Sequence, residues 1–299
     1  MTQPSEPDIR SFFDPETNTV THLVIDPVTR EAAVIDPVLD FDPRSGQVDT
    51  SSVRAVLDAA SAAGARIVRV LETHAHADHL SAAPFVKAAT GAPVGIGAHI
   101  RDVQAIFRPV FDARDVVPDG RAFDTLFEDG DRFVVGALTV EVMHVPGHTP
   151  ADLAYRIGQD VFVGDTLFMP DYGTARADFP GGNARSLYRS IRRLLDLPGE
   201  TRLHLCHDYK AEGRETFVWR TTVAEQRAGN IHVHDGVTED DFVAMRQARD
   251  ATLAPPTLLL ASIQVNIRAG HFPPARPDGT HVLVTPVRAA PGVDLSPAG

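Results

Sequence analysis

Apolar positions along this chain recur with two periods, one suited to strands and one to helices. Val20 to Ile25 and Ala32 to Ile35 are β-rich runs joined by Asp26-Pro27-Val28-Thr29-Arg30, and they predict a hairpin. Val53, Val56 and Leu57 share one face of a helix that Ser51 or Ser52 caps and that ends near Gly64. Ile67 to Leu71 is a short apolar run, as expected of a buried strand. Beyond a polar loop the pattern predicts a helix from about Ser81 to Ala89, stopped at Gly91. A short strand, Val94 to Gly97, and a helix over Ile100 to Phe107 follow. The middle of the chain reads as strands: Phe133 to Val135, Leu138 to Val145, Leu153 to Ile157 and Val161 to Val163, with turns at Gly136-Ala137 and Gly158-Gln159-Asp160. Asn183 caps a helix through Leu195 that ends at Pro198-Gly199. Leu203 to Cys206 is a further strand, and helices are expected over Glu215 to Arg227 and Thr238 to Arg249. From Pro273 on, proline and polar residues dominate, and the end reads as a mobile tail. Two sheets flanked by helices, an α/β fold, would satisfy this order.

Composition narrows the classes. A chain of 299 residues, 43% apolar, is long enough for one large domain or two small ones around a packed core. The formal net charge of −12 argues against nucleic acid, which requires a basic face. The charge is uneven: residues 171–230 carry ten Lys or Arg against eight Asp or Glu. That excess fits a solvated helix face or a mouth that attracts an anionic small molecule. No stretch is long and apolar enough to span a bilayer, and the polar start, Met1 to Pro7, lacks the apolar run of a signal peptide. The single cysteine, Cys206, excludes an internal disulfide and fits a reducing, cytoplasmic compartment. Cys206 itself reads as a small apolar residue in a buried strand.

The chemistry concentrates in Thr73-His74-Ala75-His76-Ala77-Asp78-His79, directly after a predicted buried strand. Neutral imidazole is the commonest protein metal ligand. Residues i and i+2 of an extended segment point the same way, so His74 and His76 can reach one point. Asp78 and His79 fall where a helix is expected to begin, aimed at a second point nearby. Three further pieces end predicted strands: Val145-Pro146-Gly147-His148, Val163-Gly164-Asp165, and Leu205-Cys206-His207-Asp208-Tyr209. A strand terminus on a rigid sheet can hold a ligand in place. No Ser-His-Asp or Cys-His pair and no glycine-rich phosphate loop emerges. His22, His99, His144, His204, His232, His234, His271 and His281 read as solvent-facing or locally packed.

His74, His76, Asp78, His79, His148, Asp165 and His207 stand in the order HxHxDH, His after Pro-Gly, Gly-Asp, final His. This resembles the metallo-β-lactamase superfamily. The resemblance covers about residues 10–230 and implies an αββα sandwich of two mixed sheets flanked by helices. Residues 231–299 would then be a C-terminal extension packed on it, serving as a lid, a dimer contact or both.

Within the superfamily the chain resembles the persulfide dioxygenases, the ethylmalonic-encephalopathy-protein-like group. The matching elements are Gly164-Asp165-Thr-Leu-Phe168, Arg176-Ala-Asp-Phe179, His207-Asp208-Tyr209 and Asn266-Ile-Arg268-Ala-Gly270. That resemblance implies one Fe(II) per chain on His74, His148 and Asp165, with glutathione persulfide and O2 converted to sulfite and glutathione. Two imidazoles and one carboxylate with open positions are the facial triad of non-haem Fe(II) oxygenases. One ligating carboxylate leaves about one net positive charge, which favours an anionic sulfur ligand. By the same resemblance His76, Asp78, His79 and Asp208 orient ligands and water. Tyr209 and His207 act on the reacting species, and Arg176, Asn266 and Arg268 contact substrate. Tyr209 as a packed aromatic and Arg176 as an exposed loop residue stay open. A homodimer and a rhodanese-type sulfurtransferase supplying persulfide are further possible partners. The alternative is a glyoxalase II-type dinuclear zinc thioesterase, in which Asp165 bridges two ions and the other six residues are ligands. Against it, that group usually has His-Glu-Tyr where this chain has His207-Asp208-Tyr209. It also draws on C-terminal lysines, whereas the only lysines here are Lys87 and Lys210.

Overall fold

Alternate side chains of a strand point to opposite faces, and here that alternation sorts the apolar residues into three cores. The computed structural model describes residues 6–295. Its first half runs β1 (Asp8–Asp14), β2 (Thr19–Ile25), β3 (Glu31–Ile35), β4 (Val38–Asp42), β5 (Gln47–Asp49), α1 (Ser51–Ala62), β6 (Arg66–Leu71), β7 (Leu80–Ser81), α2 (Ala83–Thr90), β8 (Val94–Gly97), α3 (Ile100–Phe107) and β9 (Thr125–Phe127). The second half runs β10 (Arg132–Val135), β11 (Leu138–His144), β12 (Leu153–Ile157), β13 (Asp160–Phe162), α4 (Ala184–Leu195), β14 (Arg202–His204), β15 (Arg220–Thr222), α5 (Val223–Gly229), α6 (Glu239–Asp250) and α7 (Leu259–Asn266).

The strands form two mixed sheets, ordered β1-β2-β3-β6-β8-β9 and β10-β11-β12-β13-β14-β15, with a small third sheet β5-β4-β7. In β2, Leu23 and Ile25 face the helices while Val24 faces the other sheet. The inter-sheet core joins Val24, Ala33, Ile35 and Leu71 to Val140, Val142, Tyr155 and Phe162. Outside the first sheet lie α1, α2, α3 and α7; outside the second lie α4, α5 and α6. This is the expected α/β sandwich, helices–sheet–sheet–helices. Residues beyond 230 enter both outer cores: Val233 and Phe242 pack with α4, and Ile263, Val265 and Ile267 pack with the first layer. No helix among the described residues is long and apolar enough to cross a membrane.

Local chemistry explains most of the boundaries. Asn183 accepts the Ser186 amide at 2.9 Å and starts α4, whose Leu187, Ile191 and Leu194 form the buried stripe. Thr222 and Glu225 form a reciprocal capping box at α5.

Several expectations are corrected. The helix expected over Glu215 to Arg227 is broken. Residues 220–222 instead pair antiparallel with β14 as an edge strand, and the capping box delays the helix to Val223. Neither Ser51 nor Ser52 caps α1. Their own backbone N–H groups are taken by Asp49 and Asp40. Asp78 and His79 do not begin a helix; they lie in the loop before β7, and α2 starts at Ala83. The tail expected to be mobile ends in residues 296–299, which lie outside the described residues, as do residues 1–5 of the polar start expected to carry no signal peptide.

One buried ion pair ties the second layer to the loop behind β13. Arg246, 1% exposed, pairs with Asp250 at 2.7 Å and donates to the Thr174 carbonyl at 3.1 Å. Asp250 in turn accepts the Ala177 amide at 2.9 Å. Removing one partner strands a buried charge. Arg246→Met is therefore expected to cost about 3–5 kcal/mol in urea unfolding, against less than about 0.5 kcal/mol for the exposed Arg249→Met.

Candidate metal centre

Four strand ends from two sheets deliver the polar residues to one edge of the sandwich. The loop after β6 carries His74, His76, Asp78 and His79; the turn after β11 carries His148; the end of β13 carries Asp165; the end of β14 carries His207. Two glycines make the approach possible. Gly147, at φ 150°, would place a Cβ 2.3 Å from the Leu187 backbone, and Gly164, at φ 52°, would place one 2.8 Å from the Thr73 side chain. A side chain at either position would push a ligand-bearing segment off its neighbour.

His74, His148 and Asp165 bring two imidazole nitrogens and a carboxylate oxygen to within 4.8 Å of one another, and His76 offers no atom to that group. Asp165 Oδ2 lies 3.3 Å from His148 Nε2 and 3.9 Å from His74 Nε2. The other ring nitrogen of each histidine is fixed by a neighbour. His148 donates Nδ1–H to the Arg176 carbonyl at 2.8 Å, and His207 donates Nδ1–H to the Asn18 carbonyl at 3.0 Å. Thr73 Oγ1 gives its proton to Asp36 at 2.8 Å, so it accepts from His74 Nδ1 at 3.1 Å. These contacts point the Nε2 lone pairs of all three into the site. Nε2 of His74, His79 and His207 is buried with no hydrogen-bond partner among the described residues. Orphaned imidazole nitrogens beside a carboxylate are what a cation-binding site requires. Burial holds the His74 pKa well below its ordinary range, and that of His79 below it, which keeps both rings neutral as ligands must be. Asp165 stays ionised: against the cost of burial, His207, His148 and His74 hold its pKa down.

His76 packs on His74, ring centroids 3.9 Å apart, yet contributes no nitrogen to that group, which corrects the expectation that the two reach one point. Its Nε2 lies 3.0 Å from Asp36 Oδ1 and 3.9 Å from Glu72 Oε2, a charge contact rather than an aligned hydrogen bond. A second possible ligand group is His76, Asp78 and His79; a third is Asp165, Cys206 and His207. His207 Nε2 lies 3.2 Å from Asp78 Oδ2 and 3.4 Å from Asp165 Oδ1.

A cavity of about 1210 Å³ opens over His148 and Asp165. Phe168, Tyr172 and Tyr209 wall one side, Tyr209 stacking on His207 at 5.2 Å and on Tyr172 at 5.0 Å. Phe179 sets its edge against His148 at 5.1 Å, and Arg176 lies over Phe179 at 5.1 Å.

Three of the expected substrate and orienting residues do other work. Asn266 does not line the cavity. Its carboxamide donates to the His76 and His79 carbonyls, both at 2.8 Å, and accepts the Ser81 amide at 2.9 Å, so it fastens the metal-binding loop to α7. Arg268 is also outside the cavity, paired with Asp115 at 2.7 Å. Asp208 turns away from the centre to Arg214 and anchors the loop behind Tyr209. Arg176 does reach the cavity, but its guanidinium is held by Asp178 at 2.6 Å and by the Ala254 carbonyl at 2.7 Å. Cys206 is buried as expected yet is not merely apolar filling: its thiol donates to Asp165 Oδ1. Asp36 and Glu72 were missed. The only sequence signal for Asp36 is a carboxylate at the end of an apolar strand.

The sequence pattern of the Metallo-beta-lactamase superfamily matches residues 17–207, and the chain belongs to that superfamily. It is 50% identical to a probable metallo-hydrolase of Burkholderia pseudomallei over 94% of this chain and 99% of that one. It is 43% identical to Glyoxylase B2 of Dictyostelium discoideum over 93% and 96%. It is 27% identical to the human mitochondrial persulfide dioxygenase ETHE1 over 88% of each. A beta-lactamase hydrolase-like protein of Agrobacterium fabrum is 47% identical over 96% of this chain, which spans only 66% of that relative's length. The crystal structure of ETHE1 from Myxococcus xanthus superposes with a TM-score of 0.71 at 31% identity, covering 88% of this chain and all of the other.

Asp36 and His76 support each other electrostatically. Burial lowers the His76 pKa, but Asp36 more than offsets this and lifts it from 6.5 to about 10. Burial raises Asp36, but His76 and His74 more than offset this and pull it from 3.8 to about 2. A raised histidine pKa gives stability that is complete below 6.5 and lost as pH climbs toward 10. A depressed carboxylate pKa gives stability that is complete above 3.8 and lost as pH falls toward 2. Asp36→Asn in the metal-free protein is thus expected to cost about 3–5 kcal/mol between about pH 4 and 6.5. In urea unfolding across the pH range, that difference should shrink steadily on the alkaline side.

Proposed function

We propose that the protein is a persulfide dioxygenase that uses one Fe(II) held by His74, His148 and Asp165. The observation that carries the reading is the convergence of these three side chains, with His76 kept out of the group beside Asp36. Two imidazoles and one carboxylate match the facial triad of iron oxygenases. The 31% identity to the Myxococcus ETHE1 structure, along that protein's full length, adds support. Fe(II) bound there would supply the one-electron chemistry with O2 that a d10 zinc ion cannot.

The remaining residues bind, orient and exclude water. The Arg176 carbonyl and the Thr73 hydroxyl keep the His148 and His74 rings aimed inward. Phe168, Tyr172 and Tyr209 give the cavity an apolar wall beside Asp165, which suits a sulfur chain and limits hydrolysis. Burial holds the Tyr209 phenol well above its ordinary pKa, so it stays a neutral hydroxyl on the cavity surface, able to donate to an anionic sulfur or oxygen atom. His207 stands with its Nε2 3.2 Å from Asp78 and 3.4 Å from Asp165. The overall reaction is glutathione persulfide plus O2 and water giving glutathione, sulfite and two protons. Glutathione, iron and a cytoplasmic location are parts of this proposal, as is a rhodanese-type sulfurtransferase as persulfide source.

One observation favours a second reading. Asp78, His79, His207 and Asp165 offer donors for a second ion, and the Dictyostelium relative is named Glyoxylase B2. A dinuclear zinc thioesterase would use them all as ligands.

Metal analysis joined to an oxygen electrode separates the two. The dioxygenase is expected to carry about one iron per chain and to consume O2 on addition of glutathione persulfide. His148→Ala should lower that rate at least about a hundredfold. Two zinc ions per chain, hydrolysis of S-lactoylglutathione and no O2 uptake would overturn it.

A further inference from the structure

Cys206 is the chain's only cysteine and lies buried where β14 runs into the site. Its Sγ is 2.8 Å from Asp165 Oδ1. In this contact Cys206 Sγ is the donor and Asp165 Oδ1 the acceptor. The two oxygens of Asp165 then have different surroundings. Oδ2 faces His148 and His74. Oδ1 faces Cys206 and, at 3.4 Å, the partnerless Nε2 of His207. Beyond Oδ1 stand Asp78 and His79, their side chains 3.4 Å apart. A second cation among Asp78, His79 and His207 would need Oδ1 as its shared ligand. Asp78 and His207 stand near Oδ1, and the thiol proton occupies one of that oxygen's two lone pairs.

Resting on the single-iron reading above, we propose that Cys206 is a positioning residue that sets the nuclearity of the centre. By donating to Oδ1, it holds Asp165 as a one-oxygen ligand on the His74–His148 side and disfavours a second ion. It acts through Asp165 and is not itself a ligand. The opposite use of the same residue, as a thiolate ligand joining Asp165 and His207 on a soft cation, requires the proton to leave and predicts opposite results.

The test titrates the full-length, metal-stripped protein with Zn(II) by calorimetry, with metal counted after dialysis and Co(II) spectra recorded in parallel. Wild type, Cys206→Ala and Cys206→Ser are compared, with Cys206→Val replacing Ala should circular dichroism show that the Ala variant is unfolded. Wild type is expected to retain about one ion and to show no thiolate-to-cobalt charge-transfer band. The donor-free variant should bind a second ion at least about tenfold more tightly than wild type does, the size of one lost hydrogen bond. Cys206→Ser should keep the wild-type stoichiometry, because a hydroxyl donates in the thiol's place. One ion in all variants, with equal second-site affinity, overturns the role of Cys206 and leaves the single-iron reading standing. A charge-transfer band in wild type, or loss of an ion in Cys206→Ala, overturns it in favour of a thiolate ligand. Two tightly held ions in every variant overturn both.

Discussion

The centre depends on one buried carboxylate outside the ligand motif. Asp36, at the end of β3, takes the Thr73 amide at 2.7 Å and the Thr73 hydroxyl at 2.8 Å, and lies 3.0 Å from His76. Through these contacts it fixes the backbone leaving β6, the tautomer of His74 and the direction of His76 at once. Without it the loop would carry three imidazoles and no rule for which of them share a point. The parallel pairing of β3 with β6 brings Asp36 into reach, so the sheet topology itself is part of the site.

Much of the fold was legible because its strands and helices are strongly patterned. Val94 to Gly97 and Ile100 to Phe107 have the predicted bounds, and the cap of α4 is the predicted Asn183. What the pattern did not reveal are elements whose stability comes from partners. β1, Asp-Ile-Arg-Ser-Phe-Phe-Asp, has no clean alternation and is held as an edge strand beside β2. β4, β5 and β7 are short and partly acidic and exist as a set. α7 follows two prolines and is held by packing against β7 and the first-layer core. The same cause broke the helix expected from Glu215, where pairing with β14 outweighs helical spacing.

For the site, the motif identified the residues that converge but not what supports them. His74, His148 and Asp165 meet as the family resemblance implied, whereas the spacing argument had paired His74 with His76. The supporting contacts come from far along the chain and from ordinary residue types: a threonine, a backbone carbonyl at Arg176, an asparagine on α7. Asn266 and Arg268 were expected at the substrate because they sit in a recognisable element. A motif marks a position under constraint, and here the constraint is mechanical. Cys206 shows the converse: a residue that its place in a buried strand assigned to packing stands against a ligand oxygen.

The clamp made by Asn266 has a temporal consequence. It grips carbonyls of a loop made 187 to 190 residues earlier in the chain. During synthesis the histidine loop leaves the ribosome long before its fastener exists, so the nascent polypeptide carries the imidazoles without the scaffold that aligns them. Alignment of the imidazoles therefore waits until residue 266 has been made, and a product terminated before it would be left with a slack, unaligned loop.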